Sequence, residues 1–377
     1  MKHSYLQRLL AAFFLMPLFA FAQDDAIQLQ AFEEGGDFQS VAPLVIEQTP
    51  FYGLSGYYNG VTFYRITGDE PVVVPREEIT ALPAGEMFAA VGRFNVLLVE
   101  SQAALRFNVA QETFVVSGPK DVNWNARILR KDELAQESEA LDALRYQHLW
   151  SPLAWLSRTV EWAVESVQSL TGLGWGWSIV VFSVLLKVLL LPLSLYAARL
   201  QASVGAIQSQ LAPKLAEIKE KFDGEEAHKR IMAAHKDLGV STFFSLKPLG
   251  ALFLQVPVWI AVFNALGEMP QLVGQGFLWV NDLAYPDSIA SLRGAIPFLG
   301  SSVSLLPVLM AGVTFASSLL LRDTQLTAPE KKRQTRNALL TALAFLLLFY
   351  PFPAAMVLYW TLSNGLQIIQ QKLIKPA

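Results

Sequence analysis

The sequence predicts a polytopic α-helical membrane protein, in which a small periplasmic all-β domain precedes five spanning helices and a cytoplasmic helical hairpin. The 377 residues are 53% hydrophobic and 16% charged, whereas an ordinary soluble domain carries about 25% charged residues. Apart from the N-terminus, long apolar stretches occur only beyond residue 178. Residues 23–148 are acidic, with nine Lys/Arg against nineteen Asp/Glu, and residues 149–377 are mildly basic, with eighteen against thirteen. This division of charge excludes a specific nucleic-acid-binding protein.

Residues 1–22 have the pattern of a secretory signal peptide. Lys2 and Arg8 precede the apolar stretch Leu9–Phe21, and Ala20-Phe21-Ala22 forms an A-x-A site. The apolar stretch is short for a spanning helix, which needs about 20 residues. We therefore expect cleavage after Ala22, with an uncleaved anchor as the alternative. In both cases the following residues begin outside the cytoplasm.

Residues 23–131 are predicted to form one periplasmic β domain, a sandwich. Its candidate strands are rich in β-branched and aromatic residues and are separated by Gly, Pro and Asn. They are Phe51–Tyr58, Val61–Thr67, Met87–Glu100, Leu105–Val116 and Val122–Leu129.

Residues 132–172 connect this domain to the membrane part. A charged helical linker over 132–146 is followed by apolar residues at the spacing of an amphipathic helix: Leu153, Leu156, Val160, Ala163, Val167 and Leu170. Because Trp155 and Trp162 lie nearby, we expect this helix to lie along the outer membrane surface. A helix packed on the β domain is the alternative.

Five spans are predicted in the remaining core, residues 173–377. The apolar stretch from Ala338 to Ile369 is too long for one span, and Pro351-Phe352-Pro353 interrupts it, so that we expect a helical hairpin. The expected spans are about 178–197, 249–267, 303–321, 337–350 and 354–371.

The distribution of basic residues orients these spans. Segment 198–248 carries eight Lys/Arg, 267–302 carries only Arg293, and 322–337 carries five. With Lys372 and Lys375 in the tail, the positive-inside rule gives a periplasmic N-terminal domain and a cytoplasmic C-terminus. Within 198–248, two helices of about 199–222 and 225–238 are expected to form a charged hairpin with its turn at Asp223-Gly224.

Several polar residues lie within the predicted spans. Lys187 lies in the middle of the first span, with Ser183 and Ser194 on the same helical face, and a charge at such depth normally faces a protein interior or a water-filled cavity. The second span contains Gln255. The last span carries a polar stripe with neighbouring polar or aromatic residues: Tyr359, Trp360, Ser363, Asn364, Gln367, Gln370 and Gln371. Taken singly, such residues usually join helices; together, opposite a lysine, they indicate a hydrated groove.

The sequence gives no support for catalysis, so that neither an enzyme nor a cofactor is expected. There is no cysteine, no glycine-rich phosphate loop and no metal-ligand spacing, and the predicted spans contain no Asp or Glu. The histidines His3, His148, His228 and His235 lie outside the spans, and we expect His228 and His235 to be solvated.

The core resembles the YidC-type membrane protein insertases of the YidC/Oxa/Alb family. Motifs similar to those of the family occur in the same order over about residues 150–375. They are GWGWSIVVFSVLLKVLLLPLS, LAPKLAEIKEKFDGEEAHKRIMAAHKDLGV, ALFLQVPVW, FLWVNDLAYPD and FPAAMVLYWTLSNGLQIIQQKLI.

The resemblance implies a non-enzymatic insertase and chaperone of the bacterial inner membrane, with a hydrophilic groove open to cytoplasm and lipid. Lys187 would correspond to the basic groove residue, which is more often Arg in the family, Ser183 to its polar neighbour, and Tyr359 and Trp360 to the aromatic pair of the last span. The implied partners are nascent membrane-protein clients and membrane lipids, and would extend to a Sec translocon or a ribosome. The alternatives are an anion transporter or channel and a membrane-anchored envelope scaffold.

Overall fold

The computed structural model describes residues 28–31, 62–68, 70–75, 81–109, 113–117, 124–241, 247–296, 300–320 and 328–373. The predicted signal peptide and the predicted strand Phe51–Tyr58 lie outside the described residues.

The N-terminal part contains two β-sheets. One is antiparallel in the order β3-β2-β5-β6-β9, and the other has the order β1-β8-β7-β4, in which β1 and β8 run parallel. The strands are β1 (Gln28–Ala31), β2 (Thr62–Thr67), β3 (Glu70–Val73), β4 (Ala81–Leu82), β5 (Met87–Val91), β6 (Asn95–Ser101), β7 (Leu105–Val109), β8 (Thr113–Ser117) and β9 (Trp124–Arg130).

Two of the predicted strand segments are hairpins. Residues 87–100 divide into β5 and β6 around a turn in which Gly92 N–H donates to Asn95 O at 2.9 Å, and 105–116 divides into β7 and β8. The apolar run continues through both strands, so that only Gly92 and Asn95 mark the turn. Val96 and Leu98 of β6 pack in one core cluster with linker residues such as Leu134, which covers one face of the larger sheet.

The rest of the chain is mainly helical. A short β-hairpin, β10 (Ala290–Ile296) and β11 (Gly300–Val303), lies in the predicted outer segment and was not expected. The helices are α1 (Leu134–Glu137), α2 (Glu139–Asp142), α3 (Ser151–Thr171), α4 (Trp175–Leu189), α5 (Leu191–Lys221), α6 (Gly224–Asp237), α7 (Lys247–Glu268), α8 (Leu306–Leu320), α9 (Ala328–Phe349) and α10 (Ala354–Leu373).

Helix α4 ends earlier than the predicted first span. Leu190 separates it from α5, so that residues 178–197 do not form one continuous helix. Pro192 explains the break, because proline has no N–H to donate to the carbonyl of Val188. The turn between α5 and α6 falls at Asp223-Gly224, as predicted.

The observed helices α1, α2 and α3 also differ in detail from the predicted linker helix and the predicted amphipathic helix. Ser138 separates α1 from α2. In α3 the buried face includes Ala154, Val160 and Val164, whereas Leu170 is 86% exposed.

A single apolar core joins α3, α4, α7, α8, α9 and α10. Among the described residues, no single helix has both the length and the hydropathy of a membrane span. The pair Ser151–Thr171 and Trp175–Leu189 has this length and hydropathy only when the two helices are taken together, and the pair is bent by 116° at its break. Leu306–Leu320 is a shorter apolar helix.

Two helix ends, the C-terminal end of α7 and the N-terminal end of α10, lie next to the β-domain turn. The C-terminal end of α7 contacts the β-domain turn, where Arg93 Nε donates to Gly267 O at 2.7 Å. The first residue of α10 lies at that same end, since Ala354 N–H donates to the Tyr285 carbonyl near the Arg93 ring contact. The α5–α6 hairpin follows the opposite end of α4.

Candidate functional site

Of the three polar residues of α4, two lie one turn apart on the same side of the helix. Ser183 is buried, and its hydroxyl donates to Ile179 O at 2.6 Å within the helix. Lys187, one turn further, is half-buried. The neighbouring Leu185 and Leu189 are 55% and 74% exposed. The helix therefore presents an apolar exposed face and a polar face directed into the bundle.

Lys187 contacts the last helix. Its Nζ donates a hydrogen bond to Gln367 Oε1 at 2.5 Å, between α4 and α10. No ion pair of Lys187 with a carboxylate occurs among the described residues. A positive charge thus lies between two helices with a neutral hydrogen-bond acceptor.

The predicted residues of α10 divide between two sides of that helix. The Tyr359 ring lies 6.5 Å from Phe182 of α4, between ring centroids, and the Tyr359 hydroxyl forms a hydrogen bond with Ser363. Asn364 instead donates from Nδ2 to Thr314 Oγ1 of α8 at 3.1 Å. Tyr359 and Ser363 therefore lie on the α4 side, and Asn364 joins α10 to α8.

Trp360 belongs to an aromatic cluster on another side of α10. Its ring is 5.6 Å from Trp259, 5.5 Å from Phe263 and 5.3 Å from Phe349, between centroids. The indole Nε1 is buried and has no hydrogen-bond partner among the residues that the structure describes. The structure thus separates Trp360 from Tyr359, although the two are adjacent in sequence.

Two further predicted residues, Gln255 and Ser194, lie on helices other than α4. Gln255 is half-buried on α7, and Ser194 lies on α5 beyond the break at Leu190. Neither forms a hydrogen bond with Lys187 in the described part of the chain. The helical-face argument for Ser194 assumed an uninterrupted helix, which the break at Leu190 contradicts, so that a groove position for Ser194 stays a prediction.

The loop that follows α7 contacts the first turns of α8 and α10. Asp287 Oδ2 accepts the N–H groups of Leu305 and Leu306 at 2.8 and 2.7 Å, at the start of α8. A carboxylate at this position satisfies unpaired N–H groups and complements the helix dipole. The Ser304 hydroxyl donates to the Asp287 carbonyl at 2.5 Å.

The same segment caps α10. The N–H groups of Ala354 and Ala355 donate to the carbonyls of Tyr285 and Leu283 at 2.8 and 3.0 Å. The first turns of α8 and α10 are therefore tied together by one loop. This loop covers the bundle at the end that faces the β domain.

The turn between β5 and β6 contacts the loop that caps α8 and α10. Arg93 Nη2 donates to Ala284 O at 2.7 Å, and the Arg93 guanidinium lies 4.4 Å from the centroid of Phe94. The Phe94 ring is in edge contact with Tyr285 at 6.1 Å.

A buried ion pair joins the linker to the end of α7. Lys131 Nζ lies 2.8 Å from Glu268 Oε2, and the two side chains are 8% and 7% exposed. His148 Nε2 is 3.3 Å from Glu268 Oε1 and 3.0 Å from Asn264 Oδ1. Residue 268 falls just after the predicted second span, so that an acid lies at the end of α7 that contacts the β-domain turn.

A second polar cluster joins α3 to the preceding linker and to the segment that follows α7. Glu161 Oε2 accepts from Arg145 Nη2 at 2.5 Å and from the Tyr146 hydroxyl at 2.8 Å. Gln271 donates to Glu161 and to Glu165. Burial, and then the nearby Glu161 carboxylate, raise the pKa of Glu165 above its ordinary value. The same two causes raise the pKa of Tyr146.

The sequence does not predict the contacts of Glu268 with Lys131 and His148, nor the burial of His235. Lys131, Glu268 and His148 lie in segments of ordinary polar composition, where no spacing links them. His235, expected to be solvated, is buried, and its Nδ1 lies 2.7 Å from Ile231 O; His228 is exposed as predicted. In the described ranges no group of three or more His, Asp or Glu could hold a metal ion.

Fold and site together define a helical bundle with polar side chains inside its apolar core and a β-sheet region on its N-terminal side. The model of the family described as 60Kd inner membrane protein matches residues 166–377, more than half of the chain. The chain belongs to this family, whose name indicates an inner membrane protein.

The chain is similar to several proteins named membrane protein insertase YidC. That of Janthinobacterium sp. (strain Marseille) is 29% identical over 84% of this chain and 51% of its own length. That of Herminiimonas arsenicoxydans is 26% identical over 90% and 56%, and that of Chlamydia trachomatis 31% over 62% and 30%. The chain therefore spans about half the length of the first two relatives.

A solved structure titled "Active YidC insertase crystal structure with the first transmembrane domain resolved" is also similar. It is 17% identical and has a TM-score of 0.40, covering 86% of this chain and 73% of that chain.

Proposed function

We propose that this chain is a membrane protein insertase and chaperone of the bacterial inner membrane. The observation that carries the proposal is the Lys187–Gln367 contact, a charge held between α4 and α10 in a chain of this family. The side chains on the α4 side of α10 and the polar face of α4 then line a hydrophilic groove.

In the proposed topology α4, α7, α8, α9 and α10 cross the membrane and the C-terminus is cytoplasmic. Supporting it, the β domain contacts the C-terminal end of α7 through Arg93, whereas the basic residues Lys331–Arg333 and Lys372 lie at the other ends of α9 and α10. That distribution follows the positive-inside rule. Helix α3 would lie along the outer surface. Its Trp155 and Trp162 side chains are 65% and 66% exposed and would contact the lipid there.

The groove would act by shortening the path of a client's polar segment through hydrocarbon. Each unsatisfied backbone polar group in the bilayer costs several kcal/mol, and hydrated side chains in the groove satisfy such groups. Lys187 would attract acidic client residues. The apolar client helix then moves into lipid, which is favoured by roughly 25 cal/mol for each Å² of apolar surface removed from water.

The loop that caps α8 and α10 supports a groove closed on the periplasmic side. The α5–α6 hairpin would receive clients from the cytoplasm, and nascent clients, a translocon or a ribosome are its proposed partners. Its exposed surface carries i,i+4 ion pairs such as Lys229–Glu225 and Arg230–Glu226.

Complementation of an insertase-depleted bacterium tests the proposal. Wild type, Lys187→Arg and Lys187→Leu would be compared at equal membrane abundance. We expect rescue by all except Lys187→Leu. Rescue by Lys187→Leu would remove the groove charge from the mechanism, and failure of well-expressed wild type would contradict a general insertase activity.

A further inference from the structure

Gln367 is the residue of α10 that reaches the Lys187 ammonium. The two side chains lie 180 residues apart in sequence and are joined by the Nζ–Oε1 hydrogen bond. Gln367 is half-buried one turn beyond Ser363, and two turns beyond Trp360. This position places an amide oxygen opposite the only basic residue of α4.

Three other predicted polar side chains of α4 and α10 form hydrogen bonds elsewhere. The Ser183 hydroxyl is bonded within its own helix, Ser363 is bonded to Tyr359, and Asn364 is bonded to Thr314. Among the residues that the structure describes, Gln367 is therefore the one partner shown for the Lys187 ammonium.

An amide and a carboxylate at position 367 would have opposite electrostatic effects. A glutamine oxygen accepts a hydrogen bond from the ammonium and leaves its positive charge uncompensated. A glutamate of nearly the same shape would accept the same bond and neutralise the charge, as in a partly buried ion pair. An ammonium has three N–H donors, so that the contact with Gln367 leaves donors for another acceptor.

We propose that Gln367 is a positioning residue that determines client selectivity: it holds the Lys187 ammonium between α4 and α10 without neutralising it. The inference rests on the proposed insertase function. Gln367 keeps the charge directed into the groove, and the remaining donors of Lys187 bind carboxylates in the polar segment of a client. Acidic segments are therefore preferred over neutral ones of equal length.

Insertion into liposomes containing the purified full-length chain tests this role. Two clients share one apolar segment, and their translocated tails carry either glutamates or glutamines at the same positions. The measured quantity is the ratio of acidic to neutral client inserted. For Gln367→Glu we expect this ratio to fall roughly tenfold, the factor that corresponds to one charged hydrogen bond, while insertion of the neutral client is unchanged.

The exchanged variant Lys187→Gln with Gln367→Lys is the second measurement. It returns an ammonium and an amide to the same contact with the helices reversed, and we expect it to restore most of the ratio that Lys187→Gln alone loses. A ratio that Gln367→Glu leaves unchanged, or an equal loss for both clients, would overturn the role of Gln367. Insertion of neither client by wild type would instead contradict the proposed function itself.

Discussion

Replacing Lys131 by methionine should loosen the junction between the linker and α7. The substitution leaves the Glu268 carboxylate at 7% exposure without its partner 2.8 Å away. Breaking a buried ion pair by removing one member costs about 3–5 kcal/mol. His148 remains 3.3 Å from the other carboxylate oxygen, so that we expect the lower end of this range.

The matched double variant Lys131→Met with Glu268→Met should recover most of this loss. Apolar residues of similar volume often replace a buried ion pair without net cost. Thermal unfolding in detergent, followed by circular dichroism and by protease cleavage near residue 131, compares the single and double variants. Lys221→Met is the control, because Lys221 and Glu217 are 60% and 64% exposed.

We expect a lower Tm and earlier cleavage for Lys131→Met, and values close to wild type for the double variant and the control. A single variant as stable as the control would refute the buried pair. A double variant as unstable as the single one would refute the assignment of the loss to the unpaired Glu268 carboxylate.

Three further predictions concern the end of the bundle that faces the β domain. Gly176→Ala places a Cβ in steric conflict with the Phe277 ring, so that the Tm of the variant should fall by an amount equivalent to about 1–3 kcal/mol of overpacking, and Phe277→Leu in the same chain should reduce that loss. Asp287→Ala removes the acceptor of the Leu305 and Leu306 N–H groups. It should cost about 1–2 kcal/mol and increase hydrogen exchange at the start of α8, and unchanged exchange would contradict the capping role. Because the pKa of Glu165 is raised in the folded chain, folding favours its protonated form. The contribution of this form to the free energy of unfolding is lost as pH rises through the raised pKa. The Tm of Glu165→Gln minus that of wild type should therefore increase with pH above 4.5, modestly since the side chain is half-buried; a difference that does not change with pH would contradict it.

Much of the helical organisation follows from local sequence. The apolar stretches predict α7, α8 and α10, Asp223-Gly224 predicts the hairpin turn, and the prolines 351 and 353 predict the break before α10. These features depend on neighbouring residues, through hydropathy, backbone freedom and missing N–H donors.

The contacts that define the site are not local. Lys187 and Gln367 are separated by 180 residues, and one sequence contains no signal that joins them. Gln367 was identified as part of a polar stripe, but its partner follows only from the packing of α4 against α10. Similarly, Trp360 and Tyr359 separate onto two sides of the helix, because adjacent helical residues point about 100° apart.

The most direct test of a client path between α4 and α10 is photo-cross-linking during insertion. A photoreactive side chain would replace Ser363, which is bonded to Tyr359 on the α4 side, or Ile369, which is 54% exposed on the same helix. With a stalled client that carries a polar tail, we predict adducts to the tail from position 363 and lipid adducts from position 369. Tail adducts from position 369 alone would contradict a polar path beside Lys187.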